Sequence, residues 1–335
     1  MQGKVTKIFS DFYYVNTDKG LIECKLREVL KKSGIQILVG DNVILEEFQE
    51  NSSQGAICQL LERKNYINRP SVANIDLIVI VASLKSPQTP LSNIDRYLAQ
   101  AKYFGINTLI CVNKSDLSTQ AERDNFKKIY SDIGYNVVFT SALKNTGVDE
   151  LKGYLAGKTS LLSGASGVGK TSLCNAINEK FILRTGKVSK NTRGAHTTRH
   201  CEILTFDFNG IMSNIVDTPG FSLLKFDYIE PQKVKGFFPE IAKLSVNCKF
   251  SDCLHENEID CNVLANLNRI YPSRYKSYLD ILQEAKSYKK KIQEQGKKTE
   301  SKLKKINSQE KPKISLKKRL SSRKKNKQEL LQESY

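Results

Sequence analysis

The first 66 residues alternate. Apolar side chains recur at about every second position in five short runs, residues 4–9, 12–15, 21–26, 42–48 and 56–61. That is the period of a strand with one buried face. Thr17-Asp18-Lys19-Gly20 and Val39-Gly40-Asp41 punctuate the runs as turns. Five short strands at this spacing predict a small β-barrel of the OB type over residues 1–66.

Over residues 67–226 the alternation gives way to continuous apolar runs. Residues 76–82, 108–112 and 136–139 are apolar at almost every position, and helical patterns separate them at 94–104 and 120–133. Strands apolar on both faces belong to a parallel sheet covered by helices on both sides. Residues 227–290 form a third region, helical and then rich in Cys and His, which predicts an α-helical metal-binding domain. Residues 291–335 lack a sustained apolar period. From Lys286 onward there are eighteen Lys or Arg against five Glu, a net of 13 out of the chain's +18. Such a segment buries too little surface to offset its ordering entropy, so a disordered or partly helical basic tail is expected.

Charge points to the partner. A net charge of +18 over 335 residues implies an anion, with nucleic acid the commonest. No run approaches the ~20 apolar residues of a spanning helix, and the start lacks the pattern of a secretory signal. A soluble cytoplasmic chain is expected, with nothing requiring more than a monomer. Of eight cysteines, five (Cys24, Cys58, Cys111, Cys174, Cys201) are scattered among apolar residues and read as small core side chains.

The candidate chemistry begins with Gly164-Ala165-Ser166-Gly167-Val168-Gly169-Lys170-Thr171, which fits a phosphate-binding loop at every fixed position. A strand (160–163) precedes it, and Ser172 continues into the following helix. Glycines let the backbone wrap phosphates, and N–H groups at the helix start face the anion. Lys170 supplies charge to the β and γ phosphates, and Thr171 a hydroxyl to Mg²⁺. The base is chosen by Asn113-Lys114-Ser115-Asp116, at the end of a buried strand where ligands of such sheets collect. Asp116 can accept both donors of guanine, a pair adenine lacks. Asn113 can bridge to the phosphate loop, and Lys114 can lie across the ring. Ser141-Ala142-Leu143 follows another strand and fits the loop beneath the base. Asp217-Thr218-Pro219-Gly220 ends the apolar run 211–216. There a carboxylate can hold the Mg²⁺ shell through water and the Gly220 amide can sense a γ-phosphate. Thr197 or Thr198 would complete the Mg²⁺ shell; the sequence does not choose between them, and Thr198 is carried as the candidate.

The usual order of these stations in a GTPase is phosphate loop, switch threonine, D-x-x-G, N-K-x-D, S-A-x. Here the last two come first, at 113 and 141, before 164, 197 and 217. The domain is therefore expected to be circularly permuted, which closely spaced termini permit. The switch end then leads directly into the C-terminal domain, so a change in the switch can move it. Phe221 stands where many GTPases place a water-orienting Gln, so slow intrinsic hydrolysis and activation by a partner are expected. His196, beside the switch threonines, is the candidate to position water; a loop histidine with no catalytic part is the alternative.

Cys248, Cys253, His255 and Cys261, spaced C-x4-C-x-H-x5-C, form a full tetrahedral set for one structural Zn²⁺ with no open position. Zinc would supply on the order of 10 kcal/mol toward ordering a loop otherwise too polar to fold by burial.

Together, the barrel, the N-K-x-D ahead of the phosphate loop, the His196-Thr197-Thr198 switch and the Cys/His spacing resemble the RsgA (YjeQ/EngC) family of ribosome small subunit-dependent GTPases, over roughly residues 1–290. The resemblance implies an OB-fold, a permuted G domain and a zinc-binding helical domain. It also implies binding to the small (30S) subunit and its 16S rRNA late in maturation, with subunit-stimulated conversion of GTP to GDP. Ala195 stands where that family often carries a basic residue, and the long basic tail is unusual for it. Three rivals remain at this stage. An ATPase acting on nucleic acid is disfavoured by Asp116. A non-catalytic RNA scaffold is disfavoured by Lys170, Thr171 and Asp217, and kept open by Phe221. A DNA-binding zinc protein is not excluded by charge alone, but the single His does not match a two-Cys, two-His finger.

Overall fold

The computed structural model describes residues 1–47, 53–68, 70–178, 181, 201–217, 226, 229–300, 304–306 and 309–311. They form two compact units: Met1–Leu224 with Tyr271–Arg274, and Lys225–Ile270 with the chain from Tyr275.

The first unit opens with β1 (Gln2–Phe9), β2 (Phe12–Thr17) and β3 (Gly20–Leu26), then a short helix α1 (Glu28–Lys32), β4 (Asn42–Glu47) and β5 (Gln54–Leu60). The sheet order β1-β2-β3-β5-β4 closes through a β1–β4 pairing, and only β3–β5 is parallel. This is the five-stranded barrel that the alternation predicts. Val5, Val15, Ile22, Cys24, Val43, Leu45 and Ile57 fill its interior. The antiparallel hairpin β6 (Tyr66–Asn68) and β7 (Ser71–Ala73) follows, an element with too few residues to show a period. It is welded to the barrel. Ala73 N–H donates to Val39 O at 2.8 Å, and Asn74 Nδ2 donates to Gly40 O at 3.0 Å. Gly40 has φ +95°, and a Cβ there would lie 2.1 Å from Ala73 O, so no other residue fits.

The remainder is α/β: β8 (Leu77–Ser83), α2 (Leu91–Tyr103), β9 (Asn107–Asn113), α3 (Gln120–Ser131), β10 (Val137–Phe139), α4 (Val148–Leu155), β11 (Thr159–Ser163), α5 (Lys170–Ile177), β12 (Glu202–Phe208) and β13 (Ile211–Asp217). Strand order is β10-β9-β8-β11-β13-β12. All neighbours are parallel except β12, antiparallel to β13. Side chains of α2 and α3 (Ile94, Tyr97, Leu98, Phe126, Tyr130) cover one face of the sheet. Those of α4 and α5 (Val148, Leu151, Leu155, Leu173, Ile177) cover the other. β12 reads as alternating rather than continuous because it lies next to the antiparallel edge, with Ile203 and Phe206 buried and Thr205 and Asp207 exposed. The apolar pattern alone does not reveal it. Helix starts follow local chemistry: Thr119 and Glu122 make a reciprocal capping box at α3.

In the second unit, a 3₁₀ turn (Pro231–Phe237) leads to α6 (Pro239–Ser245), a polar loop, α7 (Asn262–Ala265) and the long α8 (Pro272–Glu300). Tyr278, Ile281, Leu282 and Ala285, spaced for one helix face, are all buried. Tyr278 meets Phe238 edge to face at 5.5 Å. α8 continues ten residues beyond 290, and a two-stranded hairpin, β14 (Lys304–Ile306) and β15 (Gln309–Lys311), follows. The rest of the basic tail lies outside the described residues. No helix among the described residues is long and apolar enough to cross a membrane.

One buried charge in the barrel yields a test. Asp41, fully buried, accepts Leu38 N–H at 2.7 Å and takes Arg63 as a fork, Nε at 2.7 Å and Nη2 at 2.8 Å. Asp41→Ala strands the guanidinium and should lower the stability of the first unit by about 3–5 kcal/mol. Asp41→Ala/Arg63→Ala should cost less than the sum of the single changes in a denaturant titration, because the pair acts as one feature.

Candidate functional site

The parallel strands β9, β10, β11 and β13 end at one edge of the sheet, so the loops that follow them gather there. Behind β11 comes the glycine loop. Gly164 (φ +147°) passes so close to β8 that a Cβ would lie 2.2 Å from Val81 O, and at Gly169 (φ +93°) a Cβ would lie 2.4 Å from Asn113 Nδ2. These two glycines are demanded by packing as well as by backbone angle. Helix α5 begins at Lys170, two residues earlier than its apolar pattern indicates, so its first N–H groups point into the loop. Lys170 Nζ donates to Gly164 O at 2.8 Å and Ala165 O at 2.9 Å. Burial pushes its pKa below the usual lysine value. A phosphate in the loop is the counter-charge such an ammonium lacks. Ser166, Gly167 and Ser172 are exposed or partly so, Thr171 is half-buried, and Val168 packs into the core.

Asn113, at the end of β9 and 2% exposed, joins three loops. Its Nδ2 donates to Val168 O at 3.0 Å. Its Oδ1 accepts Ala142 N–H at 3.1 Å and the Thr140 hydroxyl at 3.3 Å. Thr140 is a member of the site that sequence reading missed; a polar residue closing an apolar strand was the available signal. Lys114, in the left-handed region at φ +58°, donates from Nζ to Gly167 O at 2.8 Å and Ser86 O at 2.5 Å. Asp116 Oδ1 accepts the Ser141 hydroxyl at 2.6 Å, and Ser141 Oγ accepts Lys144 N–H at 3.2 Å. That hydroxyl first, with Lys144 and Lys114 nearby, holds the Asp116 carboxyl below its ordinary pKa. The group is thus an acceptor at neutral pH with an oxygen left to face a base carrying two N–H donors.

Asp217 ends β13, the strand directly beside β11, and β11 in turn separates it from β8. His196, Thr197, Thr198, Gly220 and Phe221 lie outside the described residues.

In the second unit, Cys248, Cys253, His255 and Cys261 converge, their donor atoms all within 4.8 Å of one another. Cys248 Sγ lies 3.9 Å from Cys261 Sγ and 3.6 Å from His255 Nδ1, and His255 Nδ1 lies 3.4 Å from Cys261 Sγ. With zinc–sulfur bonds of ~2.3 Å and zinc–nitrogen bonds of ~2.0–2.1 Å, a tetrahedron requires S···S near ~3.8 Å and S···N near ~3.6 Å. The cluster therefore fits a zinc ion without rearrangement, with Nδ1 as the imidazole donor. The loop is built around it. His255 and Asp260 take left-handed φ values of +56° and +60°. The Glu258 carboxylate accepts N–H from Leu254 and Glu256, and Tyr278 and Tyr275 of α8 donate to Leu254 O and His255 O at 2.7 and 2.8 Å.

Similarity to known proteins agrees with this layout. An RsgA GTPase family model matches residues 60–227 and an RsgA N-terminal domain model residues 2–57. A 50S ribosome-binding GTPase model also matches residues 159–314. Among relatives, a small ribosomal subunit biogenesis GTPase RsgA of Caldanaerobacter subterraneus is 40% identical over 294 residues, 87% of this chain and 98% of that one. A protein of the same name, numbered 2, from Listeria innocua is 38% identical over 296 residues, 86% of this chain and 99% of its own. Among solved structures, YjeQ from Thermotoga maritima superposes with a TM-score of 0.73 at 36% identity, covering 85% of this chain and 98% of that one. YloQ, titled a circularly permuted GTPase, gives 0.69 at 32% identity over 85% and 95%. With a barrel, a rotated GTPase domain and a Cys₃His cluster all present along one chain, this protein belongs to the RsgA family of GTPases.

Proposed function

We propose that this chain hydrolyses GTP to GDP and phosphate on the small ribosomal subunit, contacting its 16S rRNA and assisting its late maturation. Slow turnover alone and faster turnover on the subunit are part of the reading. The observation that supports it best is the Asn113 bridge, which ties a guanine-selecting loop to a phosphate loop at one sheet edge. The relatives named small ribosomal subunit biogenesis GTPase supply the particle.

In this reading Asp116 accepts guanine N1–H and the exocyclic amine, held as a carboxylate by Ser141. Lys114 and Ala142 flank the base. The amides of residues 164–172 cradle the phosphates, and Lys170 exchanges its carbonyl partners for phosphate oxygens. Mg²⁺, when bound, spreads positive charge over the β and γ oxygens; Thr171 and Thr198 would hold it, with Asp217 acting through water. His196 is assigned to positioning the attacking water, because Phe221 has no group to do so. The deciding measurement is GTP turnover with and without small subunits, ATP as competitor and Lys170→Ala as control. Stimulation of at least about tenfold, abolished by Lys170→Ala and indifferent to ATP, is expected; GTP binding with no response to the subunit would refute the partner and leave the nucleotide.

The Cys₃His cluster is read as one structural zinc. Metal analysis should find one zinc per chain, and Cys253→Ser should lose it. Limited proteolysis should then cut within 248–261, while the melting of the first unit stays unchanged. A metal-free wild-type chain that resists cleavage there would count against this role.

The basic tail is read as an added rRNA contact, acting through released counterions. About 87% of this chain accounts for 98% of its Caldanaerobacter relative, and the N-terminal family model starts at residue 2. Removing residues after 295 should flatten the dependence of log K for subunit binding on log salt by about 0.7–0.9 for each phosphate the tail neutralises. An unchanged slope would show that the tail binds nothing on the particle.

A further inference from the structure

The loop between β8 and α2, residues 84–90, matches none of the recognised nucleotide motifs, yet it reaches the nucleotide site from two directions. On one side, Ser86 O and Gly167 O share the ammonium of Lys114, at 2.5 and 2.8 Å. The Pro87 ring sits against Gly167, its Cδ and Cγ 3.4 and 3.5 Å from where a Cβ on that glycine would lie. On the other side, Lys85 Nζ pairs with Glu122 Oε2 at 3.0 Å, and Glu122 is the carboxylate of the α3 capping box that follows Asp116. The loop is itself pinned. Ser83 N–H donates to Thr89 Oγ1 at 3.0 Å, Thr89 N–H donates to Ser83 O at 2.8 Å, and Ser83 Oγ donates to Lys85 O at 2.5 Å.

Two non-glycine residues in this small region, Ser86 (φ +54°) and Lys114 (φ +58°), occupy the left-handed region. L side chains disfavour it, and it persists where surrounding contacts over-determine the backbone. Here those contacts are the ones that aim the Ser86 carbonyl and the Lys114 side chain at each other. Lysine rather than glycine or asparagine at such an angle is retained for its ammonium, which needs carbonyls on both sides.

We infer that residues 84–90 are a clasp of the nucleotide site, with Ser86 and Pro87 acting as positioning residues. They hold Lys114 against Gly167, so that the guanine-selecting loop and the phosphate loop open and close as one body. A clasp of this kind sets how long nucleotide stays bound; it does not touch the reacting atoms. Its signature lies in dissociation rates rather than in the hydrolytic step, as is usual when affinity is tuned without a new partner for the ligand.

The inference rests on the guanine-nucleotide reading above, and a mutant cycle on the full chain separates the two. Fluorescent-GDP dissociation is measured for wild type, Pro87→Gly, Lys114→Met and the double variant, with single-turnover GTP hydrolysis and thermal melting alongside. Pro87→Ala is the milder variant should Pro87→Gly not fold. Each single change is expected to speed GDP release about tenfold, with the double variant little faster than either, since both remove one shared interaction. Single-turnover hydrolysis of bound GTP should stay within about twofold of wild type for Pro87→Gly. Unchanged release in both proline variants, or single effects that multiply in the double, would overturn the clasp. If Lys114→Met also leaves GDP release unchanged, the base-recognition reading itself fails.

Discussion

The nucleotide site depends on one buried carboxamide. Asn113 contributes a donor and an acceptor at a position 2% exposed, and each is used by a different loop: Val168 of the phosphate loop, Ala142 and Thr140 of the base loop. A carboxylate in its place could not donate to Val168 O, and an aliphatic side chain would leave the Ala142 amide unpaired. Buried backbone groups left without partners cost about 1–3 kcal/mol each, so the alternatives lose the loops' relative positions before they lose the fold. The glycines answer the same constraint. Gly169 is bare because Asn113 Nδ2 occupies the space that a Cβ would need.

What was legible in the sequence follows from how each feature is encoded. The barrel strands and the central sheet were readable because their signal is periodic burial, period two where one face is wet and continuous where both are covered. The phosphate loop, Asn113–Asp116 and the Cys/His set were readable because their chemistry restricts residue type at fixed spacing. β6, β7 and β12 were not. The first two have three residues each, too few for a period, and β12 is an edge-neighbouring strand whose alternation resembles an exposed loop. Ser86 was invisible for a different reason. It acts through a backbone carbonyl, which every residue possesses, so no residue type records it. Thr140 lies between these cases: its hydroxyl matters, but one threonine at a strand end is common.

The rotated motif order is explained by one short connection. Residues 156–158 join α4 to β11, where an unrotated chain would have its two ends. Gly157 turns at φ +71° and donates N–H to Ser213 Oγ at 3.0 Å, while Lys158 O accepts Asn214 N–H at 2.9 Å. The end of α4 and the start of β11 are only these residues apart, so a tight turn suffices and loop closure costs little. The break has moved to the two strands flanking β11. β8 receives the chain from the barrel side, its entrance fixed by Asp76, which accepts Thr159 N–H at 3.0 Å. β13 delivers the chain toward residue 225, where the second unit begins.

These two junctions are not equivalent, because parallel strands have a direction. β8 is entered at the end of the sheet far from the nucleotide loops, and a domain attached there is insulated from them by the full length of the strand. β13 is left at the end where Asp217 stands, within the D-x-x-G segment that senses nucleotide state in this class of enzyme. In an unrotated domain that segment would lead into another helix and strand of the same core, and its movement would be absorbed there. Here it leads out of the unit. Rotation of the chain thus leaves the chemistry of the sheet edge intact while it changes what the moving segment is attached to. A fold that keeps its packing and alters only its connectivity can redirect a local change in a loop toward a separate body.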